Sequence, residues 1–254
     1  MRNAKPFRSP GQGLSEDDVH TKRVCYFALE HILYQEHQQH QQQQQHPAGP
    51  EDGEASAAKQ VTLMTLNTVQ RDLGHRHPIV RGLALRCTPL FPSHLIGDAF
   101  HVLRSALDHP HPYVRKTAAI QVHRYAALGA ISHSEAVTLA RTHVQQHTDQ
   151  TAMVYSNLMS ALQHMDASSD AHVAFDAPRF LQMGEWSQTM LMPHVLQSTK
   201  EEHFIETMNF LDPLLYTQHH ALMHGIAFAF VALAQGDAPL NADVRSELQG
   251  KASR

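Results

Sequence analysis

Histidine is the residue most able to do chemistry in this chain, because the 254 residues include 22 of them. Imidazole binds transition metals and moves protons near neutral pH. Three groups invite that reading. His37, His40 and His46 lie in the Gln/His run EHQQHQQQQQH. His219, His220 and His224 are spaced so that two could share a helix face. His75 and His77 stand just before Pro78. A zinc centre would add a carboxylate or thiolate at a fixed spacing, and a zinc hydrolase a Glu base between two His. Neither is present: the nearest string, His220-Ala221-Leu222-Met223-His224, has no Glu. The Gln/His run therefore reads as a tolerated insertion. No metal, cofactor or catalytic residue is assigned. There is no G-x-S-x-G, no P-loop, and no G-x-G-x-x-G after a strand, so the chain is not read as an enzyme.

The arginines carry a second pattern. His77-Pro78-Ile79-Val80-Arg81 returns 34 residues later as His111-Pro112-Tyr113-Val114-Arg115, followed by Lys116. Pro suits the first turn of a helix, where its missing N–H would have no partner. The positions Ile79, Leu83, Cys87, Leu90 and Val114, Ala118, Val122, Tyr125 have helical spacing. A helical unit repeated at this distance predicts an all-α fold, an α-solenoid of HEAT/armadillo-like repeats. Pro78, Arg81, Pro112 and Arg115 are then structural residues of the repeat, each guanidinium bonding carbonyls or acids of the adjacent repeat in a ladder. The alternative role for these arginines, aided by Lys116, is contact with an acidic partner or a lipid phosphate.

The remaining elements follow from periodicity and from helix breakers. Residues 1–18 are polar and expected to be disordered, with Ser15, Asp17 or Asp18 available to cap the helix after them. Residues 19–35 form a helix that is apolar on most sides and so needs neighbours on two faces. The insertion at 36–58 is expected to be a mobile loop. A helix at 57–74 should turn Leu63, Leu66, Gln70 and Leu73 inward. The repeat helices occupy 78–90 and 112–128, with one helix from Ser93 to Asp108 between them. Ser132 and Glu135 form a capping box that opens a helix to Gln146. A third, degenerate copy follows, with Ala152 in place of Pro and Tyr155 in place of Arg. A loop at 166–174 precedes helices at 177–183, 185–199, 201–215 and 218–235. Pro193 and Pro213 should bend or split theirs. Trp186 and Met190 are expected in the core. The helical-repeat region spans 19–235, and the tail 236–254 is polar.

Composition limits the partners. A net charge of −4 with His neutral argues against a general nucleic-acid binder. Cys25 and Cys87 fall inside apolar patterns and read as buried thiols in a reducing compartment. MRNAKPFRSPGQG has no apolar leader, and no stretch of 18 apolar residues exists, so any membrane contact is expected to be peripheral.

From Thr65 to Leu128 the sequence resembles the amino-terminal trunk of beta-adaptin, the large beta subunit of heterotetrameric clathrin-adaptor complexes. Pro112-Tyr113-Val114-Arg115-Lys116-Thr117-Ala118-Ala119 is the most specific piece. Lys22 to Ala28, Glu185-Trp186-Ser187-Gln188, and Glu201 to Leu211 match in the same order. Pro78 to Arg86 is most similar to the fourth adaptor complex, and Val69-Gln70-Arg71-Asp72-Leu73 to the third. The chain departs from the pattern in four ways. A Lys/Gly-rich first segment is missing, the Gln/His insertion is foreign, and His77 and His111 replace the usual Asp or Asn. The later trunk, the hinge and the ear are missing too.

The resemblance implies a membrane-coat subunit acting in vesicle-mediated protein transport. It would bind the medium, small and second large adaptor subunits and help cargo sorting. An Arf-type GTPase and phosphoinositide headgroups would assist recruitment. The location implied is cytoplasmic, peripheral on Golgi or endosomal membranes or coated vesicles. The other reading is an orphan helical-repeat scaffold outside any coat.

Overall fold

The computed structural model describes residues 18–43, 52–146, 151–165, 177–198 and 204–235. They are helical, with no strand among the described residues. The helices are α1 (Val19–Gln43), α2 (Asp52–Leu73), α3 (Pro78–Cys87), α4 (Ser93–Ile96), α5 (Ala99–Leu107) and α6 (Pro112–Ala127). They continue as α7 (His133–Gln146), α8 (Ala152–Met165), α9 (Ala177–Leu181), α10 (Glu185–Ser198), α11 (Phe204–Leu211) and α12 (His220–Gln235). Short 3-10 turns follow α3 at Thr88–Leu90 and α11 at Asp212–Tyr216. The chain divides into two compact units, 1–139 and 140–254.

In the first unit α3 is central. It packs against α1, α2 and α6, and α6 packs in turn on α5. The repeat faces are buried as the spacing predicts. Leu83, Cys87 and Leu90 are inside, as are Val114, Ala118, Val122 and Tyr125, while Ile79 is half-buried. Tyr125 donates its phenol O–H to the Leu85 carbonyl at 3.0 Å, joining the two repeat helices. Gly82 lets them approach: a Cβ there would sit 2.7 Å from Tyr113 Cε1 and 3.3 Å from Thr117 Oγ1. Both Cys25 and Cys87 are buried free thiols.

Helix ends obey local rules. Asp18 Oδ2 accepts from the Thr21 N–H at 2.8 Å and caps α1. Ser132 Oγ accepts from the Glu135 N–H, and Glu135 Oε2 accepts from the Ser132 N–H, closing the capping box of α7. Gly129, at φ 73°, ends α6, and the Ala130 N–H returns to the Tyr125 carbonyl at 2.8 Å.

Several expectations change. The insertion is helical at both ends: α1 runs on to Gln43 and α2 begins at Asp52. Gln and Ala are good helix formers, so helices already nucleated on either side extend into it. Residues 44–51 lie outside the described set, as do 1–17, 166–176 and 236–254, where a disordered start, a loop and a polar tail were expected. The expected single helix from Ser93 to Asp108 is two. Gly97, at φ 73°, breaks it, and Asp98 Oδ1 caps α5 through the His101 N–H at 2.8 Å. The inward face of α2 carries Thr65, Leu66, Val69 and Asp72, while Leu63 and Gln70 are exposed.

In the second unit α10 packs against both α8 and α12. Leu158 and Leu162 of α8 are buried and Met153 is exposed. Trp186 is not in the core: it is 70% exposed, and Met190 is also on the outside. The buried residues of α10 are Ser187, Gln188, Leu191, Met192, His194 and Val195. Gln188 Nε2 donates to the Phe180 carbonyl at 3.0 Å, which fixes the helix with Trp186 turned outward. Pro193 sits inside α10 without splitting it, whereas Pro213 coincides with the switch to a 3-10 turn. Phe180 and Phe210 meet edge to face at 5.8 Å, tying α9 to α11.

Candidate interaction surface

The repeated phrase builds the same small device twice. His77 and His111 occupy the N-cap positions of α3 and α6, with extended backbone, and Pro follows in the first turn. The Nδ1 of His77 accepts from the Ile79 N–H at 3.3 Å, and that of His111 from the Tyr113 N–H at 3.2 Å. Imidazole thus does here what an Asp or Asn side chain does at a helix start. One step earlier the pattern repeats. His75 Nδ1 accepts from the His77 N–H at 2.9 Å, and His109 Nδ1 from the His111 N–H at 3.0 Å. All four bonds require an unprotonated Nδ1.

The arginines return to the loop that leads into their own helix. Arg81 Nε donates to the His75 carbonyl at 3.3 Å. Arg115 donates from one terminal nitrogen to the carbonyls of His109 at 2.9 Å and Pro110 at 2.7 Å. The expected ladder is therefore corrected. Carbonyls are the acceptors, but each bond closes a loop within one repeat, on a carbonyl five or six residues upstream. The repeats still meet here. Arg81 and Arg115 both bring positive charge to His109, and with burial, the larger effect, hold that imidazole below its usual pKa. Lys116 lies apart, with its ammonium 5.9 Å from the centre of the Tyr113 ring. In α8, Tyr155 stands at the degenerate Arg position, and the Arg179 guanidinium covers its ring at 3.9 Å.

Two charged clusters lie deeper, and the sequence reading missed both. Lys22 Nζ donates to both carboxylate oxygens of Asp72 at 2.7 and 2.6 Å, with both side chains 1% exposed. Tyr26 donates its O–H to the same carboxylate at 2.9 Å. Burial, followed by the Asp72 charge, pushes the Tyr26 phenol far above its usual range, so it stays a neutral donor. Glu30 of α1 takes Arg86 of α3 on one oxygen and Arg124 of α6 on the other, each at 2.7 Å. These contacts fix α1 across both repeat helices.

The other face of α1 is uncovered. Val24, Phe27, Ile32 and Tyr34 are exposed, and the guanidiniums of Arg23 and Arg86 each lie 5.8 Å from the centre of the Phe27 ring.

His37 and His40 fall on α1 and His46 lies outside the described residues. His219 pairs with Glu185 at 2.8 Å, while His220 and His224 are exposed. Among the described residues no group of three or more His, Cys, Asp or Glu is placed to hold a metal ion. No described helix is long and apolar enough to cross a membrane.

The described residues define an all-α helical-repeat fold of the HEAT/armadillo kind. Residues 13–246 match the family described as the adaptin N-terminal region, and the chain belongs to that family. It is also similar to the AP-4 complex subunit beta of Dictyostelium discoideum, 28% identical over 169 residues. That match covers 63% of this chain and 20% of the relative, so the chain spans about a fifth of that protein's length.

Proposed function

We propose that this chain is the trunk portion of a beta-type large subunit in an adaptor-type membrane coat, acting in vesicle-mediated intracellular protein transport. The observation that carries the reading is the adaptin match across residues 13–246, joined to a relative that is itself a complex's beta subunit. The relative's name favours the fourth adaptor complex over the third. A helical-repeat trunk acts by presenting surface, and this one has an uncovered apolar face on α1 suited to a protein neighbour. The medium, small and second large subunits are the partners proposed for its faces. An Arf-type GTPase and phosphoinositide headgroups are proposed to bring the assembly to Golgi or endosomal membranes for cargo sorting. The acidic-partner role of Arg81, Arg115 and Lys116 belongs to the same reading.

Affinity capture of the tagged chain from its own cells, followed by mass spectrometry, tests this. Recovery of a second large adaptin with medium and small subunits supports the coat reading and names the complex. A folded chain that recovers none of them is an orphan scaffold.

A further inference from the structure

The loop before each repeat helix is fastened twice by imidazole. In the first, Nδ1 of His75 takes the His77 N–H and Nδ1 of His77 takes the Ile79 N–H. In the second, His109 and His111 hold the His111 and Tyr113 N–H groups in the same way. An Arg of the helix that follows closes each loop on the carbonyl of its first His. An Asp or Asn acceptor would keep such bonds in mild acid, whereas imidazole stops accepting once Nδ1 takes a proton. At His109 the new charge would also meet Arg81 of the first repeat and Arg115 of the second. Arg81 therefore acts on both loops, by its bond in the first and by its charge in the second. The charges on the neighbouring elements do not reverse this. Asp72 at the end of α2 is turned onto Lys22 of α1, with Arg71 4.0 Å away, and Glu30 of α1 is held by Arg86 and Arg124. Asp108 lines a hollow with His109, but Arg104 and His101 of α5 line it too. On α6, Lys116 lies by Tyr113.

We propose that the two loops are a paired acid-sensitive clasp: protons on the four imidazoles open the first turns of α3 and α6, and Arg81 couples the two openings. With the first loop closed, Arg81 is held at the His75 carbonyl, where its charge opposes a proton on His109. When that loop opens, Arg81 is released and His109 takes its proton more readily. The closed form needs neutral rings. Its grip is therefore complete above the ordinary imidazole range, near pH 6.5, and is lost as pH falls below it. Opening stays local, because Val80 and Val114, both fully buried, hold the next residues of each helix in place.

The test is amide hydrogen exchange of the full chain, read by NMR at pH 7.5 and 5.5, with each rate referred to the intrinsic rate at that pH. The Ile79 and Tyr113 amides should lose about tenfold in protection at the lower pH, the scale of one lost helix cap. The Leu85 and Val122 amides, further along the same two helices, should keep theirs. The fourfold variant His75→Asn, His77→Asn, His109→Asn, His111→Asn keeps an acceptor at each position and removes the titration. Its Ile79 and Tyr113 amides should be equally protected at both pH values. The double variant His75→Asn, His77→Asn keeps the first loop shut in acid, so Tyr113 should open at a lower pH than in the parent. One readout needs no variant: ring nitrogen shifts at pH 7.5 should show all four imidazoles with the proton on Nε2. Unchanged protection of Ile79 and Tyr113 at pH 5.5 overturns the proposal, as does a loss shared by Leu85 and Val122. So does a loss that persists in the fourfold variant, or a proton on Nδ1 of any of the four rings at pH 7.5. An unmoved Tyr113 midpoint in the double variant overturns the coupling through Arg81.

Discussion

Lys22 and Asp72 form an ion pair sealed from water, and such a pair is far more costly to halve than to remove. Lys22→Met leaves a buried carboxylate with the Tyr26 hydroxyl and, at 4.0 Å, the exposed Arg71 guanidinium, and should cost about 3–5 kcal/mol in urea unfolding. Adding Asp72→Leu should recover most of that loss, because no uncompensated charge then remains. Equal destabilisation by the single and double changes would show that packing, not charge, is what the pair supplies. His109 gives a pH prediction. Its neutral form accepts the His111 N–H, and its pKa is depressed by burial, then by the Arg81 charge. The unfolded chain then binds the proton more readily, so the stabilisation is complete above about pH 6.5 and is lost as pH falls below it. His109→Asn keeps an acceptor and removes the titration. The unfolding midpoint of this variant should fall less between pH 7.5 and 5.5 than that of the parent. At this scale the sequence exposed what is local. The Pro at each helix start could be read because its role is local, whereas the Arg bond, which closes its own loop six residues upstream, was read as reaching the adjacent repeat. Lys22–Asp72 spans 50 residues and Arg124–Glu30 spans 94, and no periodicity reports such a meeting.

Between helices, the governing contact is the approach of α3 to α6 at Gly82. The Tyr113 ring and the Thr117 hydroxyl fill the place where a side chain would begin. Gly82→Val should push the two repeat helices apart and lower stability by at least about 2 kcal/mol, the scale of an overpacked core. Thermal unfolding followed by circular dichroism would show it, and an unchanged or raised midpoint would mean that Tyr113 swings aside at no cost. Helix starts and stops were legible wherever a side chain or a glycine sets them, as with Ser132–Glu135 and Gly129. Which face turns inward was legible for α6, whose apolar positions form one stripe. It was not legible for α10, which is packed on two neighbours and apolar on most sides. There the Gln188 bond to Phe180, invisible in a hydrophobic pattern, decides that Trp186 faces outward. The break at Gly97 was missed because the residues on either side keep helical spacing across it.

The described residues are a run of helices in two compact units, and residues 13–246 match the adaptin N-terminal region. The phrase that returns after 34 residues announced that class because a solenoid writes its architecture into the sequence once per repeat. The surfaces such a trunk offers were less readable, since an exposed apolar helix face looks in sequence like a buried one. Val24 and Phe27 on α1 are such a face, and a partner subunit is what the account places over it. The most direct test is the native mass of the assembly isolated through the tagged chain. The account predicts one copy of this chain with one second large, one medium and one small adaptor subunit. A folded, helical chain that is recovered alone, or only with further copies of itself, would contradict it.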